Sequence, residues 1–156
     1  MIGISNYCPD IAFSNVKSRS EMEEHSWIFH VSHSDMVFHG DRCGNNGWFG
    51  FYSGSSVGSI SAYLKGSGTA RLIYGNCWID NEVAVYLNHK KISSADGYEP
   101  RKEIFFHFSP GDMLRIEEDG AIIKLHSLTI SCDGKYIVSY VIEIYNKNLN
   151  GISSFH

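Results

Sequence analysis

Between residues 41 and 52 the chain reads DRCGNNGWFGFY. Asp41, Arg42, Asn45 and Asn46 carry carboxylate, guanidinium and amide groups of the kind that hydrogen-bond sugar hydroxyls. Trp48 adds a flat ring whose face can pack on the C–H face of a pyranose. A second segment, CWIDN at 77–81, repeats the mixture with Trp78, Asp80 and Asn81. Two such loops on one rim would make a shallow cleft, and Asp41, Arg42, Asn46, Trp48, Trp78, Asp80 and Asn81 are its candidate contacts. The plainer alternative is that Trp48, Phe49 and Phe51 anchor a Gly-rich loop under a sheet edge, and that Asp and Asn are ordinary turn formers.

Other reactive residue types fall in less telling patterns. Eight histidines include His25, His30, His33 and His39. A regular strand puts His30 and His33 on opposite faces, and no HxH pair occurs, so a shared metal is not expected. Residues 54–58 spell GSSVG, formally a nucleophile elbow, but between a loop and an antiparallel strand instead of the strand–turn–helix context that chemistry requires. Glu117, Glu118 and Asp119 read as a solvated acidic turn. No catalytic constellation emerges, and the chain is not expected to be an enzyme.

Cys8, Cys43, Cys77 and Cys132 include no CxxC, and their wide spacing does not suit zinc. In an exported protein they would form two bridges, for which three pairings exist; in the cytosol they would be thiols. The pairing expected of an exported domain is Cys77 with Cys132, each at a strand end, and Cys8 with Cys43.

These side chains sit in a chain of 156 residues, enough for one domain with a real core. Charged residues make up 19% and the net charge is −4, with no basic stripe, so a nucleic-acid partner is not expected. No apolar run approaches a membrane span and no secretory signal opens the chain, so membrane insertion is not expected. Aromatics reach 13% and there are fifteen glycines, a composition suited to short strands and tight turns.

The elements follow from periodicity. Residues 1–25 are irregular, with 14–25 a polar loop or one helical turn in which Ser20 could cap. From WIFHVSH (27–33) onward the period is two, and the apolar residues on both faces of that segment suggest a strand covered on both sides. SISAYLK (59–65) and TARLIYG (69–75) read as a hairpin with Ile60, Ala62, Leu64, Ala70, Leu72 and Tyr74 inward. VAVYLNHKKI (83–92) holds a strand and a polar turn, SSADGYEP (93–100) a loop, and KEIFFHF (102–108) a strand facing inward with Ile104, Phe106 and Phe108. SPGD (109–112) turns the chain into MLRIEE (113–118). Asp119-Gly120 and Asp133-Gly134 are two-residue hairpin signals around AIIKLHSLTISC (121–132), and KYIVSYVIEIY (135–145) returns. Residues 146–156 are a polar tail. Some eight or nine strands at roughly ten-residue spacing imply two packed antiparallel sheets. The expected fold is an all-β, jelly-roll-type β-sandwich formed by residues 1–156 as a single domain; a closed β-barrel is the alternative.

GSGTARLIYGNCW, VAVYLNHKKI and IFFHFSPGDMLRIEE together resemble the core of galactose-binding-like and carbohydrate-binding-module sandwiches, over residues 58–132. The hairpin departs from that pattern: Asn88-His89 stands where Asn-Gly is usual, so a longer turn through Lys91 is expected. The resemblance implies binding of a glycan or another extracellular ligand through loops at a sandwich edge, in an extracellular or cell-surface protein. It transfers no contact residues. It allows a structural calcium ion at such loops, although no DxDxDG loop is present; no other cofactor is implied. The function expected is that of a lectin-like binding module. The rival is a structural or assembly module, a homo-oligomer or surface array, built on the tyrosine-rich strand 135–145.

Overall fold

The computed structural model describes residues 10–14, 16, 18–30, 36–40, 48–52 and 57–133, with 36–40 and 48–52 described by their backbone. These form eleven strands and one short helix: β1 (Phe13–Ser14), α1 (Arg19–Glu24), β2 (Ile28–His30), β3 (Met36–Gly40), β4 (Trp48–Tyr52), β5 (Gly58–Tyr63), β6 (Gly68–Asn76), β7 (Glu82–Leu87), β8 (Lys90–Asp96), β9 (Glu99–Phe108), β10 (Met113–Glu118) and β11 (Ile123–Cys132). One sheet has the order β3-β4-β11-β6-β9, with β1 also on β11; the other has the order β2-β5-β10-β7-β8. Every pairing is antiparallel. The two sheets do not close on one another, so the fold is a sandwich and not a barrel.

Alternation dictates the core. Ile60 and Ala62 of β5, Leu72 and Tyr74 of β6, Val83 and Val85 of β7, Leu114 and Ile116 of β10, and Ile123 and Leu125 of β11 are buried in one cluster between the layers. Each large aliphatic side chain removed from water there stabilises the fold by about 1.5–3 kcal/mol. On β9 the same period buries Phe106 and Phe108 and leaves Phe105 outside.

Several sequence expectations are corrected by the pairing. Residues 59–65 and 69–75 do not form a hairpin: β5 lies in one sheet and β6 in the other, so the turn between them crosses the core. Asp119-Gly120 likewise leads from β10 to β11 across the layers, with Gly120 at φ 104. An inter-sheet arch and a hairpin demand the same inward alternation, which is why periodicity alone misassigned both. The segment 93–100 is not a loop, because Ser93, Ser94 and Ala95 pair with Val85, Ala84 and Val83. The hairpin at 88–89 is a two-residue turn after all, with Leu87 opposite Lys90. Asn88 takes φ 59, and its side chain is held by the backbone N–H of Met113 and the carboxylate of Asp112, each bond 3.0 Å. Ile92 is the extra residue of a bulge between Val85 and Tyr86.

The N-terminal helix is capped by Ser18, not Ser20: the Ser18 hydroxyl accepts from the Glu21 N–H at 3.2 Å. Met22 is driven into the core from this helix. β2 is covered on one face only, with Trp27 and Phe29 buried and Ile28 47% exposed. Residues 135–145 and the tail lie outside the described residues.

The pairing of Cys77 with Cys132 fails on register. Cys132 faces Gly68, the first residue of β6, whereas Cys77 follows Asn76, the last. Those levels are about 30 Å apart along the strand, against about 4.4–6.8 Å between the Cα atoms of a bridge. Among the described residues no cysteine is free. Cys8 and Cys43 lie outside the described residues.

Candidate functional site

At one end of the sandwich β6, β8 and β10 finish and β7, β9 and β11 begin, so three connections meet there: 77–81, 97–98 and 119–122. Asn76, fully buried, organises them. Its amide donates to the carbonyls of Asn81 (3.1 Å) and Ala95 (3.2 Å), and its Oδ1 accepts from the Trp78 N–H at 2.8 Å. Asn81 takes φ 64, a conformation asparagine tolerates. The Asn81 side chain donates to the Asp119 carbonyl at 3.0 Å, and its own carbonyl accepts from the Gly97 N–H at 2.9 Å. Gly97 sits at φ +65, and a Cβ there would meet the Ile79 carbonyl at 3.2 Å, so the turn packs directly on the loop. The Cys77 N–H donates to the Ile122 carbonyl, and the buried Glu118 carboxylate accepts from the Gly120 N–H at 2.7 Å. The loop backbone is thus fixed from three directions.

What this framework presents is apolar. Trp78 is 42% exposed, Ile79 72%, Tyr98 54%, and Val57, just before β5 on the same end, 55%. Exposed apolar side chains gathered at one end of a fold on a fixed backbone make that end a candidate contact surface. Carboxylates neighbour them in the chain. Asp80, Asp96 and Asp119 are exposed, while Glu82 is bridged to Lys91 at 2.8 Å and Glu99 to Lys102 at 3.7 Å. The hydrogen bond from Lys91 holds the Glu82 carboxyl below the usual carboxylate range. Beneath the rim, Tyr74 bonds Ser93 at 2.6 Å; its phenol is pushed up to about 12, first by burial, and further by the charges of Glu99, Asp96 and Glu82. On β11 the buried Lys124 and the half-buried His126 both have their pKa lowered, chiefly by burial, with Arg101 acting on each.

Of the residues singled out from sequence, Trp78, Asp80 and Asn81 share this loop. Asn81 serves as a brace, with its amide committed to Asp119. Asp41, Arg42 and Asn46 lie outside the described residues. Trp48 opens β4 opposite Gly40, one step beyond Phe49, which faces Leu125; Leu125 in turn faces Tyr74. Gly40 and Trp48, the strand ends that flank 41–47, therefore lie on the side away from the 77–81 end. Asn76, Ile79, Gly97 and Tyr98 went unnoticed in the sequence. The signal was a turn-forming Asp-Gly followed by an aromatic, at 96–98. His33 lies outside the described residues, and His30 bonds Ser61. No cluster among the described residues could hold a metal ion.

The sequence matches no family model and no curated protein. In structure the chain is similar to a family 35 carbohydrate-binding module from Clostridium thermocellum, with a TM-score of 0.45 and 14% identity over 68% of this chain and 92% of that one. It is also similar to CBM51 from Clostridium perfringens, solved in complex with methyl-galactose, with a TM-score of 0.43 and 12% identity over 67% and 92%. A family 35 module from an environmental isolate gives a TM-score of 0.44 and 15% identity over 65% and 87%. The likeness is one of fold alone.

Proposed function

We propose that this chain is a non-catalytic carbohydrate-binding module that takes a glycan on the rim formed by Trp78, Ile79 and Tyr98. The observation that carries this is the combination of solvent-facing rings with a loop backbone held by the buried Asn76. Preorganised rings can stack on the C–H faces of a sugar without ordering costs at the moment of binding. Asp80 supplies an acceptor for hydroxyls beside Trp78. A shallow site of this type binds weakly, and repeated sugars or repeated modules supply avidity. The proposal takes residues 1–156 as one domain of an exported protein, with Cys77 and Cys132 in separate bridges.

The test is a glycan array followed by calorimetry on the hits, with wild type and Trp78→Ala compared at equal thermal stability. Binding that falls at least tenfold in the variant supports the rim. Glycan binding untouched by Trp78→Ala and Tyr98→Ala together would place the site elsewhere. A discrete oligomer in size-exclusion chromatography that ignores every glycan would favour an assembly role, for which Phe105, exposed on the edge strand β9, offers an apolar contact.

A further inference from the structure

We infer that the Trp78 rim selects glycans by charge, accepting uncharged sugars and turning away those that carry carboxylate, sulfate or phosphate. The inference rests on the reading of this rim as a glycan site. It comes from how the ionised groups are distributed around it.

Asp80 lies within the loop, two residues from Trp78. Asp96 directly precedes Gly97, whose N–H is bonded to Asn81. Asp119 follows β10, and its carbonyl receives the Asn81 amide. All three carboxylates are solvent-exposed, Asp80 and Asp119 in two of the connections and Asp96 at the end of β8 where the third begins. The lysines nearest this end leave Asp80 and Asp119 unopposed: Lys91 is bridged to Glu82 and also acts on Asp96, and Lys102 is held by Glu99 and by the Ser94 carbonyl at 2.6 Å. Arg101 acts on the buried Lys124 and on His126 of β11. The Tyr74 phenol, raised first by burial, also feels Asp96 together with the lysine-bridged Glu99 and Glu82. The carboxylates do not form a site of their own. They set the potential in front of the rings that do the stacking.

Like charges a few ångströms apart in water weaken binding by roughly two- to tenfold, and the effect fades as salt shortens the screening length to about 8 Å and below. Asp80 stands two residues from Trp78 and Asp96 two from Tyr98, so a sugar substituent beside either ring would meet a carboxylate. A hydroxymethyl group there costs nothing electrostatically, whereas a uronate does.

The experiment uses the full chain and two oligosaccharides of equal length, a neutral hexose oligomer and the corresponding hexuronic acid oligomer, titrated at low and high salt. The expected result is binding of the neutral oligomer, with the uronic acid oligomer at least about fivefold weaker at low salt. That gap should narrow at high salt and in the Asp80→Asn, Asp96→Asn, Asp119→Asn triple variant. Uronic acid binding as tight as neutral binding, and still lost in Trp78→Ala, overturns charge selection while leaving the rim in place. If neither oligomer nor any array glycan binds, the reading of the rim falls, and the selection with it.

Discussion

Replacing Asn76 tests whether the rim is prebuilt. In Asn76→Ala the Trp78 N–H and the Ala95 carbonyl both lose a buried partner, while the Asn81 carbonyl keeps its bond from Gly97. A side-chain hydrogen bond contributes about 1 kcal/mol net, and an orphaned buried donor costs about 1–3 kcal/mol. The sum is a destabilisation of about 2–4 kcal/mol, or about 5–15 °C in Tm for a chain of this size. Asn76→Asp is the sharper variant, because it keeps the acceptor for Trp78 but aims a second oxygen at two carbonyls. Its ionised form is opposed there, so the folded-state pKa must rise above that of an unfolded aspartate. A raised folded pKa means that the protonated side chain, able to donate to one carbonyl, is relatively stable at low pH, and that stability is lost as pH rises through the folded value. Urea unfolding followed by tryptophan fluorescence would show this as a variant whose midpoint improves with acidification. The reasoning is refuted if Asn76→Ala lies within about 0.5 kcal/mol of wild type, or if Asn76→Asp is insensitive to pH.

Other consequences are quicker to state. The raised Tyr74 pKa makes a contribution that is intact below pH 10 and disappears as pH climbs towards about 12, so ultraviolet titration should show one tyrosine resisting ionisation until the fold opens; Tyr74→Phe should remove that late phase. Peptide mapping of the unreduced protein should yield no Cys77–Cys132 linkage. Cys132 is instead expected with Cys8, two residues from Asp10, whose carboxylate accepts from Ser26 at the Cys132 end, and recovery of the 77–132 peptide or of four thiols would be the contrary result. Ser18→Ala should cost about 1 kcal/mol through the lost cap, whereas Ser20→Ala should cost almost nothing, a contrast readable in thermal melts.

How much of this was legible beforehand depends on which interaction wrote the signal. Burial wrote the strands: Ala70, Leu72 and Tyr74, or Ile104, Phe106 and Phe108, alternate because one sheet face is dry, and that alternation survives in sequence. Pairing partners left no such trace, since Ile60 and Ala62 would alternate identically whether β5 paired with β6 or, as it does, with β10 and β2. The bulge at Ile92 and the serines of β8 were masked for a related reason, because a strand near a sheet edge carries turn-like residues without turning. The rim was harder still. Trp78 and Asp80 advertise themselves by type, but the residue that aims them is Asn76, whose importance comes wholly from three backbone groups supplied by positions 78, 81 and 95. An asparagine before a loop is commonplace. Only the closing of β7 on β8 and of the 77–81 loop on Gly97 turns this one into a fixed support. If glycan binding resides here, the affinity should therefore track the hydrogen bonds behind the rings at least as closely as the rings themselves. Asn76→Ala should then weaken binding even though it removes no atom that touches a sugar.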